Sequence, residues 1–238
     1  MTSVELLMTE PKEEKRTLRV AIDGPAGAGK STVARRVAAR LGLTYIDTGA
    51  MYRALAWAVL DARIPPDDGA AVCALAATLD VRLEPEGGIY IDERNVAGEI
   101  RTPEISNLTS PLSTLPCVRT RMVALQRAMA RRGGVVMEGR DIGTVVLPDA
   151  EVKVFLVASL AERVRRRGEE LARTGAAPDP ESLARDIAAR DERDAARDVA
   201  PMVPAADAVL MDSDGLDIDT VVEQILALCA QVGERIGR

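Results

Sequence analysis

The sequence predicts an α/β protein: a parallel β-sheet covered by helices on both faces. Three observations carry the prediction. Five short apolar runs of strand length recur along the 238 residues, helical patterns separate them, and polar residues collect directly after the runs. Strands buried on both faces read as continuous apolar runs. In such sheets ligands gather at the strands' carboxyl ends.

Taken in order, residues 1–16 are polar, with the charged run Lys12–Arg16, and read as a disordered tail before one domain over 17–238. Leu18–Ile22 is the first strand. Gly24-Pro25-Ala26-Gly27-Ala28-Gly29-Lys30-Ser31 follows, and then Val33, Val37 and Leu41 recur at helical spacing up to a stop at Gly42. Leu43–Asp47 is the second strand. Thr48 and Gly49 open a helix to about Asp61, with Met51, Leu55 and Val59 on its apolar face. Pro65 and Pro66 break the chain, and Asp68 caps a helix to about Leu79. From Val81 to Ile100, alternating runs around Gly87-Gly88 predict a small antiparallel hairpin or meander. Thr102–Leu115 and Cys117–Arg132 are helical stretches parted by Pro116. Val135–Met137, Val152–Val157 and Ala208–Met211 are the remaining strands. Between the last two lie two arginine-rich helices, Ser159–Thr174 and Glu181–Arg197, split by Ala177-Pro178-Asp179-Pro180 and ended by Pro201 and Pro204. Ile218–Ile236 is a closing amphipathic helix.

The chain is 47% hydrophobic and 29% charged, an ordinary globular composition. A net charge of −6 and only 2% aromatic residues argue against nucleic acid or an anionic membrane as partner. No apolar run approaches the length of a membrane span. The acidic start, with Glu5, Glu10, Glu13 and Glu14, is unlike a signal peptide, so a cytoplasmic protein is expected. Cys73, Cys117 and Cys229 lie far apart and form no C-x-x-C pair. The expectation is three buried small hydrophobes, with neither a disulfide framework nor a zinc site. There is no histidine. Ser–His and Cys–His catalysis and His-ligated metals are therefore excluded. Chemistry here must run on carboxylates, cations and positioning, a constraint that suits phosphoryl transfer.

Gly24 to Ser31 fits the G-x-x-x-x-G-K-[ST] pattern of a phosphate-binding loop, and it sits between a strand and a helix as that loop must. Glycines let the backbone curl its N–H groups inward onto phosphate oxygens. The following helix aims its positive end at the same point. Lys30 supplies a cation for the β- and γ-phosphates, and the Ser31 hydroxyl stands on the Mg²⁺ side. The pattern predicts nucleoside triphosphate binding. Beyond it, the strand ends carry Asp47-Thr48-Gly49, Glu138-Gly139-Arg140-Asp141 and Asp212. Arg140 can grip a phosphate bidentately, and Asp141 can accept from an exocyclic amine such as cytosine N4. Asp47, Glu138 and Asp212 are all placed as a magnesium-supporting acid would be, and the choice among them stays open. Arg163, Arg165, Arg166 and Arg167 read equally as a solvated helix face or as part of a closing lid. For Arg190, Arg193 and Arg197 the bracketing prolines favour a basic lid over phosphates.

Together GPAGAGKST, DTGAMYR (Asp47–Arg53), GEIRT (Gly98–Thr102), EGRDIGTVVLPDA (Glu138–Ala150) and RDERDAARDVAPMVPAADA (Arg190–Ala208) resemble the bacterial cytidylate kinases over nearly the whole chain from Val20 onward. The resemblance implies the P-loop nucleoside monophosphate kinase fold: five parallel strands, a monophosphate-binding insertion over 62–115 and a helical lid over 159–200. It implies transfer from ATP to CMP or dCMP with Mg²⁺, by a monomer acting on small molecules. Gly24 to Lys30, with Ser31 and Thr32, would bind ATP, and either hydroxyl could serve the Mg²⁺ side. Arg53 and Arg140 resemble the grips on the acceptor phosphate. Thr48, Arg119, Asp141 and Arg197 resemble the cytosine pocket, and Ser110, Arg190 and Asp194 the ribose contacts. Lys30, Arg140, Arg190 and Arg197 are the candidates for the transfer itself. Thr48 stands where many relatives carry Ser, which keeps the hydroxyl and adds a methyl. The rivals are a P-loop kinase for another small acceptor and a nucleotide-dependent switch with no acceptor. An N-K-x-D guanine reader is absent from the sequence, which counts against a GTPase.

Overall fold

The computed structural model describes residues 18–84, 87–173, 175 and 179–236. The expected tail over 1–16, and Ala177 and Pro178 of the expected break, lie outside the described residues. In chain order the strands are β1 (Arg19–Asp23), β2 (Thr44–Asp47), β3 (Val81–Leu83), β4 (Ile89–Ile91), β5 (Arg94–Asn95), β6 (Val135–Glu138), β7 (Val152–Val157) and β8 (Val209–Asp212). The helices are α1 (Lys30–Leu41), α2 (Thr48–Asp61), α3 (Gly69–Thr78), α4 (Pro103–Leu112), α5 (Pro116–Ala130), α6 (Leu160–Arg173), α7 (Pro180–Ala195) and α8 (Ile218–Ile236).

Five strands make one sheet in the order β2-β6-β1-β7-β8, with each neighbouring pair parallel. β1 is central. Its side chains alternate between the two faces, as a strand's must. Val20 and Ile22 join the cluster formed with α1 and α8, while Ala21 joins the one formed with α5 and the segment after β6. Burial on both faces explains why the middles of β1 and β6, and all of β7 but Lys153, are apolar. β3, β4 and β5 form a separate antiparallel sheet, with a turn through Gly87 at φ +88°. That sheet shares a core with α2, α3, α4 and α5.

Local signals explain the helix ends. Gly42 closes α1 in the left-handed region, where glycine carries no Cβ penalty. The Asp47 and Asp68 carboxylates accept from Ala50 N–H and Ala71 N–H and so cap α2 and α3. Pro116 begins α5 at its first turn, where no N–H partner is lost. The expected Thr102–Leu115 helix stops at Leu112, just past Pro111. Ile142–Val146, which had no expected element, forms a π-helical turn.

The cysteine expectation needs correcting. Cys73 on α3 and Cys117 on α5 form a disulfide, with Cα atoms 5.7 Å apart. The two lie 44 residues apart in sequence, and tertiary packing of α3 on α5 brings them together. No spacing rule could have paired them. Cys229 alone is the buried free thiol that was expected.

At Gly24, where the chain leaves β1, φ is +142° and an added Cβ would lie 2.0 Å from the Leu156 carbonyl oxygen. Any side chain there would force β1 away from β7. Gly24→Ala is therefore expected to cost more than about 2 kcal/mol of stability, as a lowered urea midpoint. An unchanged midpoint would show that the loop exit is slack.

Candidate active site

The carboxyl ends of β1, β2 and β6 open into one cleft of ≈ 1150 Å³, roofed by α6 and α7. This exceeds the usual pocket for one drug-sized ligand. Of the residues expected to bind ATP or the acceptor or to serve the transfer, all but Gly24 and Pro25 line it, whereas Asp212 and Arg163 do not.

On the β1 side, Gly29 caps α1 in the left-handed region, and no side chain bonds the helix's first N–H groups there. A helix start left in that condition is suited to an anion. Lys30 is buried at the mouth of the loop, with its Nζ donating to the Pro25 carbonyl at 2.7 Å. Ser31 and Thr32 are exposed at the start of α1.

Across the cleft, Arg53 from α2 pairs with Asp47 at 3.2 Å. Arg140, just after β6, donates through Nε to Asp194 at 3.0 Å. Arg190 on α7 reaches the same Asp194 at 3.9 Å. The Nε groups of Arg53, Arg190 and Arg197 are buried with no hydrogen-bond partner among the described residues. Burial, then the neighbouring Arg140 guanidinium, push the Arg190 pKa down to about 10. Lys30 is pushed down to about 7 by burial first, then by Arg140 and Arg190, against Glu138 and Asp23. Cations from three helices and the loop after β6 thus crowd one another beside the phosphate loop.

Further along the cleft, Asp141 and Arg119 form a buried ion pair. Burial pushes the Asp141 carboxyl above its usual range, and the Arg119 and Arg197 charges oppose that shift. Thr48 begins α2 and its hydroxyl donates to the Glu138 carbonyl at 2.7 Å. Arg197 pairs with Asp194 and donates to the Ser113 hydroxyl at 2.8 Å. Ser113 in turn donates to the Ser110 carbonyl, while the Ser110 hydroxyl is buried without a partner among the described residues.

Several residues here escaped the sequence reading. Asp23 is buried, and its two carboxylate oxygens accept the Ile142 and Gly143 N–H groups at 2.8 Å each. Burial pushes its carboxyl up to about 6 despite those donors. Its signal was its position, the last residue of a strand read as ending at Ile22. Arg163 and Asp191 pair with each other and bond Ala26 of the phosphate loop from both sides. Arg166 reaches the Ala28 carbonyl and Ser213. The open question over Arg163–Arg167 therefore divides by residue: Arg163 and Arg166 bond the phosphate loop, whereas Arg165 and Arg167 line the cleft and pair with Glu162, Glu169 and Glu170 of their own helix.

The three acids left open also separate. Asp47 is engaged by Ala50 N–H and Arg53. Asp212 is exposed and holds a turn through Asp214 N–H. Glu138 is buried on the cleft wall, with one oxygen accepting from the Tyr45 hydroxyl at 2.9 Å. Among the described residues no three His, Cys, Asp or Glu side chains group as a metal site.

The crowding of Lys30 has a measurable consequence for the ligand-free protein. Its folded pKa of about 7 lies below the unfolded 10.5. The ammonium therefore destabilises the fold fully below about pH 7, and that cost fades as pH rises from 7 to 10.5. Lys30→Met is expected to raise the melting temperature at pH 7 and to flatten its rise toward pH 10. A lower melting temperature would mean that the cation is already compensated.

The family model described as cytidylate kinase matches residues 20–231. A cytidylate kinase from Pelotomaculum thermopropionicum is 50% identical over 87% of this chain and 94% of its own length. One from Desulfitobacterium hafniense is 48% identical over 90% of this chain and 93% of its own. One from a Geobacillus species is 47% identical over 94% of this chain and 100% of its own. The phosphate loop, the strand-end Arg140-Asp141 pair and the arginine-rich α7 fall within the matched span. This chain belongs to the cytidylate kinase family.

Proposed function

We propose that this protein transfers the γ-phosphoryl group of ATP to CMP or dCMP, giving ADP and CDP or dCDP. The observation that carries the reading is the crowd of Lys30, Arg53, Arg140 and Arg190 between the phosphate loop and the Asp141–Arg119 pair. Two polyanions must be brought into line there, and their mutual repulsion is the chief barrier. Gly24 to Lys30 hold the ATP phosphates. Arg53 and Arg140 hold the acceptor phosphate. Lys30, Arg140, Arg190 and Arg197 meet charge that moves toward the bridging oxygens. The attacking phosphate oxygen is already ionised, so no general base is needed, and the absence of histidine costs nothing.

The residues present fit a magnesium ion. Mg²⁺ retains several waters and takes most remaining ligands from substrate phosphates, so the lack of a three-acid cluster among the described residues is no obstacle. Ser31 would hold it, with Thr32 the alternative, and Glu138 would orient its water. When bound, Mg²⁺ supplies charge neutralisation on the transferred group.

Asp141 reads the base by accepting from cytosine N4, with Arg119 bonded to it and Arg197 and Thr48 completing the pocket. Ser110, Asp194 and Arg190 attend the ribose. The segment over 62–115 serves as the acceptor insertion and that over 159–200 as a lid excluding water. We take the protein to act as a cytoplasmic monomer on small molecules. No helix among the described residues is long and apolar enough to cross a membrane.

A coupled assay with ATP and a panel of monophosphates tests the reading, with CMP and dCMP expected to be the preferred acceptors. ADP formation that no monophosphate accelerates would contradict it. Because Asp141 also neutralises buried Arg119, Asp141→Asn is a cleaner probe than Ala. Its amide can donate to uracil O4, so the CMP-over-UMP preference should narrow by roughly tenfold, the scale of one mispaired buried group at about 1–3 kcal/mol. Equal losses on both substrates would refute the role of Asp141.

A further inference from the structure

We infer that Asp23 is a positioning residue that fastens the base-reading and phosphate-gripping residues of the acceptor side to the strand that carries the ATP loop. This rests on the reading of Arg140 and Asp141 given above, and it assigns a role to a buried carboxylate that touches neither nucleotide's expected place.

The geometry is direct. Asp23 ends β1, and the next residue is Gly24, the first of the phosphate loop. Its two oxygens accept from Ile142 N–H and Gly143 N–H at 2.8 Å each. Those are the first two residues of the π-helical turn that follows Asp141 directly. The carboxylate thus holds two consecutive backbone donors, while Gly139 N–H donates to the Ile22 carbonyl at 3.0 Å on the same strand. Gly139 to Gly143 is pinned to β1 at both ends, and Arg140 and Asp141 lie between the pins. A buried carboxylate is an expensive way to hold a loop unless the hold matters. Charge-assisted bonds to two N–H groups fix distance and direction together. Lys30 supplies a neighbouring positive charge, so donor loop and acceptor loop share one electrostatic anchor.

In Asp23→Asn one acceptor oxygen becomes an NH₂ facing an N–H, so one pin is lost. Misplacement by about 1 Å of groups that align substrates can cost about 10²-fold. The expected result is a fall of that order in kcat/KM for CMP, with a narrowed CMP-over-UMP ratio and an unchanged KM for ATP. Thermal melting of the same variant reports whether it folds. If it does not, Asp23→Ser decides at the same position: its smaller hydroxyl fits the space, can still accept one of the two N–H groups and sets no NH₂ against the other. The same narrowing is expected there, in smaller degree. In whichever variant folds, a CMP-over-UMP ratio equal to wild type overturns the inference, even if overall activity drops, because a merely structural role would lower activity toward both acceptors alike. A wild type with no preference for CMP would instead sink the function reading itself.

Discussion

The rest of the structure depends on a concentration of positive charge at the carboxyl end of the sheet that the protein does not itself neutralise. Lys30, Arg53 and Arg190 come from three helices and Arg140 from the loop after β6, and all four line one cleft. Asp47 and Asp194 offset part of that charge, yet burial first, and then the neighbouring arginines, still drive Lys30 and Arg190 below their ordinary pKa values. A fold accepts such a cost where a ligand removes it. Phosphate groups are the ligands whose charge and geometry match the guanidinium fork.

The acids in and behind the cleft do a different job from the cations. Asp23, Asp191 and Asp194 each bind a backbone or guanidinium group on another element, so each fixes a relative position. Asp194 ties Arg140, after β6, to Arg190 on α7 and Arg197 just beyond it. Asp191 and Arg163 link α7 and α6 to the phosphate loop at Ala26. Buried ion pairs contribute little net stability against an apolar replacement. Their value here is geometric: they hold the cations in fixed positions beside the phosphate loop.

The parts of this arrangement that were legible in the sequence are those with a local cause. Apolar runs gave the sheet because both its faces are buried, as at Val20–Ile22 and Val152–Val157. Gly42, Asp68 and Pro116 marked helix ends through their own backbone chemistry. The phosphate loop was legible because a tight anion cradle restricts residue types at fixed spacing. The residues that escaped act across long sequence distances. Asp23 reaches partners near residue 142, and Asp191 reaches Ala26. Cys73 finds Cys117 only after α3 packs on α5. Adjacent arginines in α6 looked equivalent because composition does not say which helix face meets the loop. Packing decided it, turning Arg163 and Arg166 onto the loop.

The most direct measurement is a crystal structure with CMP and a non-hydrolysable ATP analogue bound together. The account predicts that the CMP phosphate sits between Arg53 and Arg140, that the γ-phosphate of the analogue lies against Lys30 and Arg190, and that cytosine N4 faces Asp141. A cytidine nucleotide seated away from those side chains, with the cation cluster still unneutralised, would contradict it.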